Sequence, residues 1–142
     1  TVDAARHAPT ARNEQPWSFV AVTDRKTLEE LGRLADHGPF IAGAAGCVAV
    51  FCAPTKYYLE DGCAATVNLL TALHAQDLGA CWVAGDKKPY AAEVADLLGA
   101  STDLRLVSLV PYGRPAARAW PPAKRGLAEV LHWERFGGEQ ED

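Results

Sequence analysis

The chain has 142 residues, enough for one domain with a sizeable core, and its 49% hydrophobic and 23% charged content is ordinary for a soluble globular protein. A net charge of −4 offers no basic footprint for nucleic acid. The apolar run Ala42–Ala53 is too short and too rich in glycine to span a bilayer, and no signal peptide is visible.

In chain order, Val2–Ala8 reads as the end of a helix. Because the chain starts at Thr1 and contains no methionine, a preceding segment is expected that this sequence does not include. Ala8–Phe19, APTARNEQPWSF, is a polar stretch between Pro9 and Pro16, which discourage helix and strand alike. Its hydrogen-bonding side chains suit either a ligand loop or a plain surface loop before an edge strand. Trp17–Val22 is aromatic and β-branched, as a strand is. Asp24 is placed to cap a helix through about Asp36, with Leu28, Leu31, Leu34 and Ala35 on one face, and Gly38-Pro39 ends it. FIAGAAG suits a short helical turn, and Cys47–Ala53 a central strand.

A long helix is expected from Tyr57 or Tyr58 to about Leu78, closed by Gly79 in a left-handed cap. It is apolar nearly all round, which points to burial on most sides and to a dimer interface. Glu60 and Asp61 stand in its first turn, where the helix dipole favours them. Ala80–Val83 reads as a short strand leading to Ala84-Gly85-Asp86. A helix then runs from Pro89 to Gly99, followed by a strand over Leu104–Val110. Pro111–Gly126 is a loop without periodicity. LAEVLHWERF is an extended arm or a short helix, and Gly137–Asp142 a polar tail. Strands and helices without a steady βαβ rhythm indicate an α+β fold, a single domain over 1–136.

Cys47, Cys52, Cys63 and Cys81 show no C-x-x-C spacing, and each lies in an apolar setting where a buried free thiol is the expectation. That favours a reducing, cytoplasmic location. The four histidines have no metal-ligand spacing, so no metal is expected.

The wording of four segments is distinctive. A-P-T-A-x-N-x-Q-P-W-x-F, then DGCAATVNLLTALHAQDLGACWVAG with Trp82 and Gly85, then LVSLVPYGRP, then AKRGLAEVLHWERF resemble, in order, the signatures of the nitroreductase family of FMN-dependent oxidoreductases. The resemblance implies a mainly antiparallel central sheet flanked by helices, and a homodimer with FMN at its interface. It implies that Pro9, Thr10, Ala11, Asn13 and Gln15 meet the flavin from the partner subunit. It places Ala84 and Gly85 beside the flavin, with the Gly85 N–H presented to N5. Lys124 and Arg125 are implied to neutralise the FMN phosphate. The family's N-terminal R-R-S-x-R phosphate anchor has no counterpart here.

Each of these residues also has an ordinary structural reading. Gly85-Asp86 is otherwise a turn, and Lys124-Arg125 are otherwise solvated loop charges. Lys87-Lys88 either attract a phosphorylated nicotinamide or simply lie exposed ahead of a helix. Tyr57 and Tyr58 line a substrate side or only pack. His132 and Trp133 suit interface contact. The implied activity is ping-pong hydride transfer from NAD(P)H through FMN to a nitroaromatic, quinone or similar small acceptor, with no protein residue doing covalent chemistry. The alternative is a flavin-binding or dimerising module without turnover, or a domain of a larger cofactor-processing enzyme.

Overall fold

The structure, a computed structural model, describes residues 1–117 and 122–140; the centre of the 111–126 loop and the last two residues of the polar tail lie outside the described residues. The elements in order are α1 (Val2–Ala5), β1 (Trp17–Val22), α2 (Arg25–Leu34), β2 (Gly46–Cys52), α3 (Tyr58–His74), β3 (Gly79–Ala80), β4 (Val83–Ala84), α4 (Ala91–Leu98) and β5 (Arg105–Gly113). β2 lies between β1 and β5, while β3 and β4 both pair with the other side of β5, and every pairing is antiparallel. The α+β architecture is as expected.

β2 is buried along its whole length because both faces of the sheet are covered. Cys47, Ala49 and Phe51 enter a core with Leu28 and Leu31 of α2 and Val94 of α4. Val48, Val50 and Cys52 enter a second core with Leu69 and Leu73 of α3. Alternation along a strand divides the residues this way. β5 keeps the same division through a bulge: Val50 pairs with Ser108 and Phe51 with Leu106, leaving Val107 as the extra residue. Ser108 then faces α3, where its hydroxyl meets Thr66 Oγ1 at 2.8 Å, and Thr66 donates to the Gly62 carbonyl at 2.7 Å. α3 sits close to the sheet at Gly62, where a Cβ would lie 2.7 Å from Val107 Cγ2 and 2.9 Å from Cys52 Sγ.

The ends of α2 and α4 follow local chemistry. The Asp24 carboxylate accepts the Thr27 N–H and hydroxyl, both at 2.9 Å, and these bonds hold its pKa below the usual value. Gly99 closes α4 in the left-handed conformation, φ 65°.

Several expectations are corrected or narrowed. α3 stops at His74, because Asp77 takes the left-handed turn (φ 55°) while the Leu78 N–H bonds the Leu73 carbonyl at 3.1 Å. Gly79 is thereby free to begin β3. The strand expected over Ala80–Val83 is instead two two-residue strands, and the one expected over Leu104–Val110 extends to Gly113. Both changes centre on Pro111, which lies in β5 between the two pairings and has no N–H to continue a ladder. Of LAEVLHWERF, only Leu127–Glu129 forms a single 3-10 turn, and Phe136 is 92% exposed. Cys47 and Cys52 are buried and Cys63 is half-buried, but Cys81, in the break between β3 and β4, is exposed.

α3 buries Gly62, Ala65, Thr66, Leu69 and Leu73 and leaves Val67 about half exposed. No helix among the described residues is long and apolar enough to cross a membrane.

Candidate functional site

The polar loop follows α1 from Ala8 and returns to the sheet at Pro16, whose carbonyl accepts the Ala53 N–H at 2.9 Å. Between them, Arg12, Asn13 and Gln15 have φ of 55°, 56° and 49°, the left-handed region that non-glycine residues rarely occupy. Each costs on the order of 1–3 kcal/mol and persists only where the surroundings impose it. Two bonds do so here. Thr10 Oγ1 accepts the Gln15 N–H at 3.2 Å, and Asp61 Oδ1 on α3 accepts the Ala11 N–H at 3.0 Å. The conformation leaves Asn13 and Gln15 exposed. Asp61 is itself buried, and its Oδ2 has no hydrogen-bond partner.

The Gly85 turn is tied at every residue. Tyr90 donates its hydroxyl to the Ala84 carbonyl, and the Gly85 N–H bonds the Val107 carbonyl at 3.0 Å. The Gly85 carbonyl accepts the Lys88 N–H at 3.3 Å. Tyr58 donates its hydroxyl to Asp86 Oδ1 at 2.7 Å, and Lys87 Nζ stands 3.7 Å from Asp86 Oδ2. The bond to Asp86, with help from desolvation, raises the Tyr58 pKa and keeps the phenol protonated. Glycine is required at position 85 because a Cβ would lie 2.5 Å from Leu106 Cγ.

Tyr58 and Asp61 are neighbours on one face of the first turn of α3. The loop and the turn are therefore fastened to the same end of the same helix, one through each residue. Asp61 holds the loop through the Ala11 N–H, and Tyr58 holds the turn through Asp86. The Gly85 N–H, which the resemblance offers to flavin N5, is committed inside the chain to Val107, and the glycine answers to Leu106. Lys124 and Arg125 are exposed and are not gathered with the rest; Arg125 bonds Glu129 Oε2 at 3.3 Å and the Glu129 carbonyl at 2.8 Å. Among the described residues, no group of three or more His, Cys, Asp or Glu side chains could hold a metal ion.

Sequence reasoning read Asp61 as a helix-dipole charge and Tyr58 as packing or lining, so both anchoring roles went unseen. One signal was available for Asp61. It stands at i, i+4, i+8 spacing with Ala65 and Leu69, on the buried stripe where a lone carboxylate needs a partner.

No family model matches the chain. A protein of Archaeoglobus fulgidus, provisionally named NADH dehydrogenase/NAD(P)H nitroreductase, is 31% identical over 119 residues, which is 79% of this chain and 68% of that one. A solved structure from Parabacteroides distasonis with the same provisional name superposes with a TM-score of 0.85 at 27% identity, over 92% of this chain and 80% of that one. A structure from Desulfovibrio desulfuricans, provisionally named a nitroreductase and in complex with FMN, superposes with a TM-score of 0.80 at 28% identity, over 95% and 81% of the two chains.

Proposed function

The chain belongs to the nitroreductase family, and on that premise we propose that it is an FMN-dependent oxidoreductase. The observation that carries this beyond membership is the fastening of the polar loop and the Gly85 turn to one helix end, by Asp61 and Tyr58. The donor set fits the ring of FMN. Asn13 and Gln15 hold exposed side-chain amides on an imposed loop conformation, and amides match the alternating acceptor and donor groups of a flavin's pyrimidine edge. Arg12 on the same loop supplies a cation suited to a phosphate, and Lys124 and Arg125 are the pair that the resemblance assigns to that group.

In this reading Pro9, Thr10, Ala11, Asn13 and Gln15 hold the flavin across a homodimer interface formed by α3, and Ala84 and Gly85 border it. When bound, FMN supplies hydride exchange between NAD(P)H and a small acceptor such as a nitroaromatic or quinone, in ping-pong order. The protein's part is to orient the flavin and shield it, with Asp61 and Tyr58 holding the two loops in place. The partly exposed Val67 face of α3 supports the dimer. The reading treats residues 1–136 as one domain and 137–142 as a tail, in a cytoplasmic protein.

A second reading, a flavin-binding module without turnover, is favoured by one bond: the Gly85 N–H is taken by Val107 rather than offered to flavin N5. One experiment separates the two. The protein is titrated with FMN, followed by flavin fluorescence, and then treated anaerobically with NADH or NADPH. Quenching followed by bleaching of the bound flavin supports the oxidoreductase; quenching without bleaching supports the module. No quenching overturns both.

A further inference from the structure

Beside the Gly85 turn is a cavity of about 550 Å³ whose walls include Thr55, Tyr58, Asp86, Lys88, Thr102 and Arg105. Lys87 and Asp96 also reach it, so three cations face two carboxylates and the cleft is locally positive within a chain of net charge −4. The carboxylates do not cancel the cations evenly. Asp86 is already engaged on both oxygens, by the Tyr58 hydroxyl and by Lys87. Among the described residues, Lys88 and Arg105 have no ion-pair partner. Thr55 Oγ1 is buried without a hydrogen-bond partner.

Unpaired cations at a concave surface of this size are the features of a site that takes an anionic oxygen group and part of the molecule bearing it. We propose that this cleft is the specificity subsite for a phosphate or carboxylate carried by the small molecule that exchanges hydride at the neighbouring flavin, with Lys88 and Arg105 as its charged contacts. The inference rests on the flavin reading above. Arg105 is the first residue of β5, and the Lys88 N–H bonds the Gly85 carbonyl at 3.3 Å in the turn that leads to α4, so the backbone at both cations is fixed. The anion's source is either the nicotinamide donor, through an added phosphate, or the acceptor, through a carboxylate.

Isothermal titration calorimetry on the purified protein, with its flavin content measured first, tests this with two probe pairs. Adenosine 2′,5′-bisphosphate is compared with 5′-AMP, and 4-nitrobenzoate with 4-nitrobenzamide. The expected result is that one pair shows at least about tenfold tighter binding of its more anionic member, since hydrogen bonds to charged groups are the strong ones. That pair identifies the source. The preference is lost in the Lys88→Ala/Arg105→Ala double variant and kept in Lys26→Ala, on α2, with melting temperatures confirming that all three are folded. No preference in either pair overturns the proposal, as does a preference that survives in the double variant. A preference lost in the double variant of a protein that binds no FMN leaves the anion subsite standing and removes the flavin reading instead.

Discussion

Asp61 Oδ1 accepts the Ala11 N–H at 3.0 Å across fifty residues of sequence, and so ties the strained polar loop to the first turn of α3. Asp61→Ala leaves the Ala11 N–H without that acceptor and is expected to cost about 1–3 kcal/mol, read by urea denaturation. Asp61→Asn retains an acceptor oxygen and should recover much of the loss. If the loop holds flavin, FMN affinity falls in the alanine variant and recovers in the asparagine one. Equal FMN affinity in all three proteins would separate the loop's conformation from binding.

Gly85 answers to Leu106. Gly85→Ala places a Cβ 2.5 Å from Leu106 Cγ and is expected to destabilise by about 1–3 kcal/mol, the cost of overpacking a dense interior. Adding Leu106→Ala makes room, so the double variant should be more stable than the sum of the single effects implies. Strict additivity in the denaturation midpoints would show that the two positions do not meet.

The Thr66–Ser108 pair is a buried hydroxyl contact in a core that is otherwise apolar. Thr66→Val removes one partner and strands the Ser108 hydroxyl, with an expected loss of about 1–3 kcal/mol. Thr66→Val/Ser108→Ala removes both and should cost less than the two single losses together. A double-mutant cycle with coupling below about 0.5 kcal/mol would contradict this.

The four thiols should separate by burial. Cys81 is exposed and Cys63 half-buried, whereas burial pushes Cys47 and Cys52 up to about 12. A thiol reagent at pH 8 should modify Cys81 first, Cys63 more slowly, and Cys47 and Cys52 only after unfolding. The raised pKa values also set an alkaline limit. Both thiols are protonated in folded and unfolded chains alike below about pH 8.5, so their contribution is complete there and is lost as pH rises toward 12. Thermal melts should therefore fall along that limb. Rapid modification of all four thiols in the folded protein would refute the burial of β2.

Much of this architecture was legible in the residues themselves, wherever the cause was local. Trp17–Val22 forms a strand with the bounds expected of it, the Asp24 cap starts α2, and Gly99 ends α4, because side-chain type and backbone freedom act within a few residues. The order of four motifs likewise pointed to the family. Other features depended on partners distant in sequence. Only in the folded sheet does Pro111 lie where it divides β3 from β4 and leave Cys81 exposed in the gap. Likewise, Asp77 rather than Gly79 makes the left-handed turn after α3, and Gly79 is spent on pairing with Gly113. The candidate site belongs to the same class. Asp61 is paired with Ala11, Tyr58 with Asp86, and Gly85 with Leu106 and Val107, and no local periodicity encodes such matches. Sequence alone determined which segments become helix and strand where the cause was local; tertiary structure decided where the others end and which hydrogen-bonding groups remain open, because a donor's partner is set by what the fold places within about 3 Å of it.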